Sequence, residues 1–487
     1  MSTLTIHWGE TLLTVPAEPG QNLLEVLAKN EIPVYAPCKG NGACKKCRVT
    51  WKTGEGTAQV LACETRLEGD GEVWVPRVTG GGLTEYAPNR WEAGLSGTGA
   101  AVDIGTTTVA VALIALDTGK TLASRAILNP QQVCGADVIS RIAACGEGKL
   151  ELQTRLIRKA VAGLLEELCR AQGVTGLQAA TVCGNTTMLH LFCGVDPTPI
   201  GTAPFTLVFT EMKTYAGAEL GLPAERVYVL PSASGYIGSD IVCGIVSQEL
   251  DKGEPALLAD LGTNGELALF TGERLICAST AAGPALEGAN IECGTGGVPG
   301  AICGVAWEHG QLKLRTIGDL PPTGICGSGL VDLIALLLKR EVIDESGSFQ
   351  GDDPHLRGGR YWLTDQVWLS QKDVRQFQLA KAAISAGIET LCRYGGLAPE
   401  KIKTLLIAGG LGFYLREDSA LETGLIPGAF GGKLRVVGNS GLAGAVACLG
   451  PAARQAAGET ARTIQICELS SSPDLSDRFI DGMSFEN

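Results

Sequence analysis

Four cysteines near the start of the chain are spaced closely enough to act on one metal centre. Gaps of five, two and fifteen residues separate Cys38, Cys44, Cys47 and Cys63. Thiolates bind iron and zinc, and four sulfurs that converge on one point can hold zinc or an iron-sulfur cluster. Glycines at positions 40 and 42 suit a tight loop in which backbone N–H groups approach sulfur closely. The sequence therefore predicts a metal-thiolate site in this loop.

The same spacing favours an iron-sulfur cluster over zinc, although zinc stays an alternative. A zinc ribbon needs a second Cys-x2-Cys pair, and Cys63 has no neighbouring cysteine to form one. The loop follows a strand, strand, helix pattern over residues 3–30, and together these features resemble a 2Fe-2S ferredoxin domain of the β-grasp fold. The resemblance implies that all four cysteines ligate the cluster. We interpret the other cysteines, Cys183 and Cys303 among them, as buried free thiols.

Two similar motifs further along the chain could bind a polyphosphate. The stretch AVDIGTTTVAVALIALDTGK begins at Ala101, and LADLGTNGELALFTGER begins at Leu258. In each, an apolar strand carries an Asp near its end, and a Gly-Thr turn leads into a second strand. The turn offers N–H and hydroxyl donors to phosphate, and the Asp can hold a divalent cation through water. The residues of the two motifs are Asp103, Gly105, Thr106 and Thr107, then Asp260, Gly262, Thr263, Asn264 and Glu266.

A single motif of this kind is usually a plain turn, but two copies indicate two related halves that hold one ligand between them. A third stretch, LLIAGGLG, is a strand running into glycines that would let a ribose or adenine lie against the backbone. A fourth, GICGSGLVDLIA, is a glycine-rich turn into a helix. The candidate nucleotide contacts in these two stretches are Gly409, Gly410 and Gly412, then Gly327 and Ser328.

In this order the motifs resemble the phosphate and adenosine motifs of the ASKHA superfamily, which includes actin, sugar kinases, acetate kinase and heat-shock chaperones. The resemblance implies two ribonuclease-H-like halves with ATP and Mg²⁺ in the cleft between them. It also implies that the small residues of GICGSGLVDLIA let helices of the two halves touch. Asp103, Asp260 and Glu266 are then the catalytic candidates. By position, Asp260 would anchor a metal-bound water and Glu266 would act as the hydrolytic base, although a solvated glutamate at a strand end fits Glu266 equally well.

Composition and patterning divide the chain into three parts. The 487 residues are 45% apolar with 66 glycines, and strands alternate with long helices after residue 100, which predicts a multidomain α/β protein. We expect a ferredoxin-like domain at 1–78, a linker at 79–98 and an ASKHA-type ATPase domain at 99–487. The halves of the last are expected at about 99–255 and 256–460, followed by a C-terminal tail.

The net charge and the distribution of apolar residues limit which partners and which location the protein can have. The net charge of −13 disfavours nucleic acid and anionic membranes as partners. No apolar run is long enough to span a membrane, and the start of the chain lacks the pattern of a secretory signal. We therefore expect a cytoplasmic protein.

The combination of a cluster domain with an ATPase domain narrows the function. The stretches NPQQVCGADVISRI, LPSASGYIGSD and DLSDRFIDGMSF resemble the reductive activators of corrinoid-dependent methyltransferases, a family of anaerobic bacteria. The resemblance implies ATP-dependent transfer of one electron from the cluster to Co(II) of a corrinoid protein, as in O-demethylase systems. It further implies a low-potential electron donor, and it is compatible with a homodimer. Compared with longer members, the short segment after the ferredoxin unit predicts that a separate middle domain is missing.

Two other functions are alternatives. An activator of 2-hydroxyacyl-CoA dehydratases shares the ASKHA fold and ATP-driven electron delivery, but it has a 4Fe-4S cluster shared by two subunits and no ferredoxin unit. A small-molecule kinase of the same superfamily would transfer phosphate to an acceptor and would have no task for a cluster. Iron content and the products of ATP turnover distinguish the three functions.

Overall fold

The computed structural model describes residues 2–9, 11–36, 40, 42, 45–54, 56–76, 84–86, 91–203, 205–262, 264–411 and 414–486. Within these ranges the strands form one five-stranded, two six-stranded and two three-stranded sheets. Some predicted site residues lie outside the described residues, namely Cys38, Cys44, Thr263 and Gly412.

The N-terminal unit is a mixed sheet in the order β2-β1-β5-β3-β4, with β1 parallel to β5 and antiparallel to β2. Its elements are β1 (Ser2–Trp8), β2 (Thr11–Ala17), α1 (Leu23–Lys29), β3 (Arg48–Thr53), β4 (Gly56–Leu61) and β5 (Gly71–Val75). Apolar side chains of the sheet and of α1 form a core of their own, which includes Leu4, Ile6, Leu27 and Val73. The predicted β-grasp order is confirmed, and β4 is an added strand that the sequence did not predict.

The first half of the large unit is built on a six-stranded sheet in the order β10-β11-β9-β6-β7-β8. Its strands are β6 (Thr98–Ile104), β7 (Thr108–Ala115), β8 (Lys120–Leu128), β9 (Leu177–Gly184), β10 (Lys213–Ala216) and β11 (Ala224–Val229). Its helices are α2 (Val138–Gly146), α3 (Leu150–Gln172), α4 (Thr186–Cys193), α5 (Gly217–Leu220) and α6 (Ser239–Gln248). The strands β6, β7 and β8 form an antiparallel meander, and β9 runs parallel to β6.

The second half repeats this arrangement in a sheet ordered β22-β21-β12-β13-β14-β23. Its strands are β12 (Ala256–Leu261), β13 (Gly265–Phe270), β14 (Leu275–Thr280), β21 (Thr404–Ala408), β22 (Leu434–Gly438) and β23 (Gln465–Ile466). Again three strands form an antiparallel meander, and β21 runs parallel to β12. The duplication predicted from the two Asp-x-Gly-Thr motifs is therefore visible in strand order and direction.

Two small sheets and six helices complete the second half. The strands are β15 (Ala301–Glu308), β16 (Gln311–Thr316), β17 (Gly324–Ile325), β18 (Leu356–Arg357), β19 (Arg360–Trp362) and β20 (Trp368–Ser370). The helices are α7 (Gly327–Lys339), α8 (Gln371–Tyr394), α9 (Glu417–Glu422), α10 (Ser440–Ala447), α11 (Pro451–Thr463) and α12 (Leu475–Asp481). The predicted tail is packed into this half: β23 pairs with β14, and Phe485 is buried in the core.

The two halves meet where α6 crosses α10. A Cβ on Gly444 would lie 2.1 Å from the Cys243 carbonyl oxygen, and a Cβ on Gly244 would lie 2.7 Å from Ser440 Oγ. These two glycines therefore let the helix backbones touch. The sequence placed such a contact at GICGSGLVDLIA, but there Gly329 abuts the Ile302 carbonyl within the second half. That expectation is corrected, because small residues alone do not identify the helix that will pack against them.

The described part of the predicted linker at 79–98 lies against the large unit. Tyr86 forms an isolated bridge with Gly438, and Trp91 Nε1 donates to the Leu116 carbonyl at 2.9 Å. The Glu92 carboxylate accepts from the Ala452 backbone N–H at 3.0 Å.

Candidate functional site

The two predicted phosphate turns close the hairpins at corresponding places in the two sheets. In the first, Gly105 N–H donates to the Thr108 carbonyl at 2.9 Å. In the second, Gly262 N–H donates to the Asn264 carbonyl at 3.0 Å. Asp103 precedes the first turn on β6, and Asp260 precedes the second on β12. The structure thus confirms the strand-Asp-turn-strand geometry expected for both motifs.

The first turn is fixed from the segment that follows β8. Asn129 Nδ2 donates to the Gly105 carbonyl at 2.8 Å, and Gln132 Nε2 donates to the Thr107 carbonyl at 3.2 Å. The guanidinium of the fully buried Arg141 donates to the carbonyl between them, that of Thr106, at 2.6 Å. Each of the three carbonyl oxygens has a donor, so their negative charge is offset before a phosphate approaches. Sequence analysis assigned none of these three side chains.

Five carboxylates share the region between the two sheets. Asp260 and Glu266 are directly opposed on β12 and β13, and burial raises the pKa of Asp260 to about 8 with help from the negative charges of Asp240, Asp103 and Glu287. Burial and the charges of Asp240 and Asp260 also hold the pKa of Glu266 well above its usual range.

Two members of this group, Asp240 and Glu287, were missed at the sequence level. Burial, together with the charge of Asp103, raises the pKa of Asp240 to about 7. Asp240 lies in the first turn of α6, at the end of the stretch LPSASGYIGSD. Glu287 closes the 3-10 turn Pro284–Glu287. The position of Asp240 directly after a glycine-rich loop could have identified it as a site residue. No sequence pattern identifies Glu287 as one.

Polar contacts join the halves at this group of acids. Asn439, the N-cap of α10, donates to Asp103 Oδ2 at 2.9 Å, and Thr107 Oγ1 donates to Glu287 Oε2 at 3.2 Å. Burial raises the pKa of Asp103, which these contacts with Asn439 and with the Cys183 thiol only partly offset. The acids of both sheets therefore face one cleft.

The glycines after β21 lie directly beside the second acidic strand. Gly409 has a φ of +88°, and a Cβ there would lie 2.8 Å from Asp260 Oδ1. Only glycine fits this turn without strain. Gly410 follows and is exposed. Gly327 and Ser328 are buried at the start of α7, where Ser328 Oγ donates to the Cys303 carbonyl at 3.2 Å. Their predicted nucleotide contact stays a prediction.

The acidic cleft has the electrostatics of a site built for a cation and a polyphosphate. Several partly buried carboxylates raise one another's pKa, and a divalent cation would relieve that repulsion. No group of three or more His, Cys, Asp or Glu side chains among the described residues is arranged to hold a metal ion. Mg²⁺ commonly keeps several waters and takes ligands from substrate phosphates, so one or two carboxylates acting through water fit it.

Two of the four candidate cluster ligands, Cys47 and Cys63, are described, and they lie next to each other. Cys47 is fully buried, and the backbone N–H of Cys63 donates to Cys47 Sγ at 3.5 Å. Asn22, the N-cap of α1, donates to the Cys63 carbonyl at 2.7 Å. Gly40 has a φ of +83°, and a Cβ there would lie 3.6 Å from Cys63 Cβ. Hydrogen bonds to ligand sulfur and close glycine backbone are both characteristic of iron-sulfur sites.

The other described cysteines are free thiols. Cys183, Cys303 and Cys326 are buried as expected, whereas Cys193 and Cys293 are only partly buried. Asn185 is the N-cap of α4, and its side chain accepts from the Thr187 backbone N–H at 3.0 Å.

A ferredoxin-type sheet joined to two ribonuclease-H-like sheets with an acidic cleft defines an iron-sulfur protein with an ASKHA-type nucleotide-binding fold. Family comparison agrees along the chain. Residues 6–68 match the 2Fe-2S iron-sulfur cluster binding domain, residues 98–253 match the RACo middle region, and residues 254–487 match the C-terminal domain of RACo, the ASKHA domain. The two RACo matches together span residues 98–487, so the chain belongs to the RACo family.

The family match supports the 2Fe-2S cluster over zinc. Its middle region falls on the first sheet-bearing half, residues 98–253, which the sequence predicted as the first half of the ATPase domain. The absence of a further domain between the ferredoxin unit and this half stays a prediction.

Two characterised proteins are similar to this chain in sequence. The corrinoid activation enzyme RamQ of Eubacterium limosum is 35% identical over 375 residues, which are 71% of this chain and 63% of that protein. A [Co(II) methylated amine-specific corrinoid protein] reductase of Methanosarcina barkeri is 27% identical over 384 residues, covering 71% of this chain and 68% of that protein. The chain thus aligns with just under two thirds of RamQ.

A solved structure shares the whole arrangement. The reductive activator for corrinoid, iron-sulfur protein superposes with a TM-score of 0.75 at 28% identity and covers 99% of this chain and 98% of its own. No helix among the described residues has the length and apolar character needed to cross a bilayer.

Proposed function

We propose that this chain uses ATP to drive the transfer of one electron to Co(II) of a corrinoid protein, which restores Co(I). The single observation that carries the proposal is the presence, in one chain, of a cysteine-lined ferredoxin unit and an acidic cleft between two related sheets. The names of the similar proteins support the same role. When bound, the 2Fe-2S cluster supplies the electron.

The cleft residues divide the binding of Mg-ATP among them. The turns at Gly105 and Gly262 would face the phosphates, and the backbone at Gly409 would lie against the nucleoside. Asp103 and Asp260 would hold Mg²⁺ through water. This division follows the strand order, because corresponding strands of both sheets end at the same cleft.

Glu266 is our candidate for the base that accepts a proton from the attacking water. It lies directly opposite Asp260, and desolvation together with the charges of Asp240 and Asp260 holds its pKa well above the usual range. A carboxylate with a raised pKa accepts a proton more readily near neutral pH than an exposed one does.

ATP is needed because the electron transfer is energetically uphill. A plant-type cluster has a reduction potential of about −400 mV, and we expect the Co(II)/Co(I) couple to lie lower. Each 100 mV for one electron costs about 2.3 kcal/mol, which ATP turnover can supply. We propose that ATP binding is coupled to electron transfer by rotation of the two halves about the contact between α6 and α10. The free energy available for this rotation cannot exceed the difference in ATP binding free energy between the two arrangements.

The partners are a corrinoid protein and a low-potential electron donor. A cytoplasmic location is proposed as well, which the free thiols support. A homodimer is also proposed, by resemblance to the family.

The test is an anaerobic absorption spectrum of a Co(II)-loaded corrinoid protein mixed with the cluster-loaded chain and a reductant. We expect the Co(I) band to grow only after Mg-ATP is added. The products of ATP should be ADP and free phosphate. A phosphorylated acceptor, or no Co(I) with several corrinoid proteins and an intact cluster, would contradict the proposal.

A further inference from the structure

The ferredoxin unit contacts both halves of the nucleotide-binding unit. On the first half, the Glu31 carboxylate pairs with Arg155 at 2.6 Å and with Lys159 at 3.8 Å, both on α3. On the second half, Lys46 Nζ donates to the Gly288 carbonyl oxygen. The ferredoxin unit is therefore attached to both halves, on either side of the contact between α6 and α10 about which the halves are proposed to rotate. We call the Glu31 contact the first anchor and the Lys46 contact the second anchor.

The second anchor lies next to both functional sites. Lys46 directly precedes the cluster ligand Cys47, and its ammonium group also lies 5.9 Å from the centre of the Tyr35 ring. Gly288 directly follows Glu287, which accepts a hydrogen bond from Thr107 of the first phosphate turn. The cluster loop and the first phosphate turn are thus connected through Lys46, Gly288 and Glu287.

The Gly288 carbonyl cannot shift independently of its surroundings. A Cβ on this residue, whose φ is +77°, would lie 2.3 Å from the Thr295 carbonyl oxygen. The backbone here is packed against backbone, so a movement of Glu287 would carry the Lys46 anchor with it.

We propose that the ferredoxin unit is docked on both halves at once and that ATP binding in the cleft weakens this docking. The inference rests on the proposed function. Because the unit has its own core, it can satisfy both anchors at only one angle between the halves. Closure of the cleft on ATP changes that angle, so one anchor must break, and the cluster becomes free to approach the corrinoid partner.

The first anchor, between Glu31 and the helix α3, is weak enough to break and re-form. The side chains of Glu31, Arg155 and Lys159 are 27%, 54% and 77% exposed, and ion pairs this exposed are weak and sensitive to salt. By thermodynamic reciprocity, if ATP weakens docking, docking weakens ATP binding by the same factor. Loss of the Glu31 anchor should therefore tighten ATP binding.

The test measures the affinity of the cluster-loaded full chain for a non-hydrolysable ATP analogue with Mg²⁺ by titration calorimetry. Glu31→Gln should lower Kd about two- to fivefold, the range of one exposed ion pair. Glu25→Gln, at an exposed position of the helix α1, which ends two residues before Glu31, is the matched control and should leave Kd unchanged. Exchange of charges, Glu31→Arg with Arg155→Glu and Lys159→Glu, should restore the original Kd.

Each outcome decides the inference. Equal Kd values for the original chain and Glu31→Gln would overturn it, and so would failure of the charge exchange to reverse the effect. If Mg-ATP still drives Co(I) formation in that case, the proposed function survives and only the docking inference fails. If the original chain binds no nucleotide at all, both fail.

Discussion

At the scale of single residues, the cleft is defined by acids that destabilise one another. Asp103, Asp240 and Glu287 come from separate segments of the chain, and Asp260 and Glu266 share one hairpin. Desolvation together with mutual repulsion raises the pKa of several of these acids. Such an arrangement opposes folding without a cation and favours binding of one. Two experimental consequences follow from it.

The first concerns Asp260. The substitution Asp260→Asn should lower Mg-dependent ATP turnover by about 10- to 100-fold, the usual cost of losing a group that orients a metal-bound water. The visible spectrum of the cluster should be unchanged. Phosphate release measures the first property, and absorbance measures the second. The exposed Asp251→Asn is the matched control, and equal turnover in the two variants would contradict the role given to Asp260.

The second concerns pH. The pKa of Asp240 is raised to about 7 and that of Asp260 to about 8, so the folded chain holds these protons more tightly than the unfolded chain. The stability that this difference contributes is complete below about pH 4 and is lost as pH rises through 7 and 8. Because Mg²⁺ competes with the same protons, its stabilising effect should grow over that window.

Thermal unfolding measures this effect. The rise in Tm on adding Mg²⁺ with a non-hydrolysable ATP analogue should be larger at pH 8.5 than at pH 7. A double variant, Asp240→Asn with Asp260→Asn, should lose most of the difference. A rise in Tm that is equal at both pH values in the original chain would show that these acids do not bind the cation.

At the scale of elements, the structure depends on glycines where helices α6 and α10 cross. Replacement of Gly444 by alanine would place a Cβ 2.1 Å from the Cys243 carbonyl oxygen. Overpacking of this kind usually costs about 1–3 kcal/mol. We therefore expect Gly444→Ala to lower the free energy of unfolding by about that amount in urea titrations.

The matched control is Gly163→Ala in the helix α3. A Cβ there meets nothing within 4 Å, and alanine is the better helix former, so this change should be neutral or stabilise by about 0.5–1 kcal/mol. If both substitutions had the same effect, the close helix crossing would not matter to stability.

The sequence predicted those elements whose signals are local. The two Asp-x-Gly-Thr hairpins, the helix α1 and the cysteine loop carry their own patterns, so the duplicated fold and the ferredoxin unit were foreseeable. Asp240 and Glu287 were not, because they reach the cleft through tertiary folding from segments without a repeated motif. The side chains that donate hydrogen bonds to the first phosphate turn, Asn129 and Arg141 among them, follow β8 in sequence. Their contact with the turn depends on tertiary folding, so no sequence periodicity predicts it.

At the scale of the whole molecule, the cluster and the nucleotide belong to separate cores. The ferredoxin unit buries its own apolar side chains, and the two sheets of the large unit bury theirs. Among the described residues, the contacts between the units at Glu31 and Lys46 are polar. Independent cores predict that each site can be removed without loss of the other.

Cys47→Ser tests this modularity. We expect the variant to lose the visible absorbance and iron content of the cluster, because Cys47 is the buried sulfur that accepts from the Cys63 N–H. Its affinity for Mg-ATP should change by less than the two- to fivefold expected for a docking anchor. Cys193→Ser, at a partly buried cysteine of the large unit, should keep the cluster. Loss of both cluster and nucleotide binding in a folded Cys47→Ser chain would contradict the division into two units.

The central claim is that ATP drives a single electron from the cluster to cobalt. The most direct test is a single-turnover reaction: the cluster is reduced, excess reductant is removed, and the chain is mixed anaerobically with an equal amount of Co(II) corrinoid protein, with and without Mg-ATP. We predict that the reduced-cluster signal disappears and the Co(I) band appears at the same rate and in equal amounts, only with Mg-ATP. Co(I) formed while the cluster stays reduced, or formed equally well without ATP, would contradict the account.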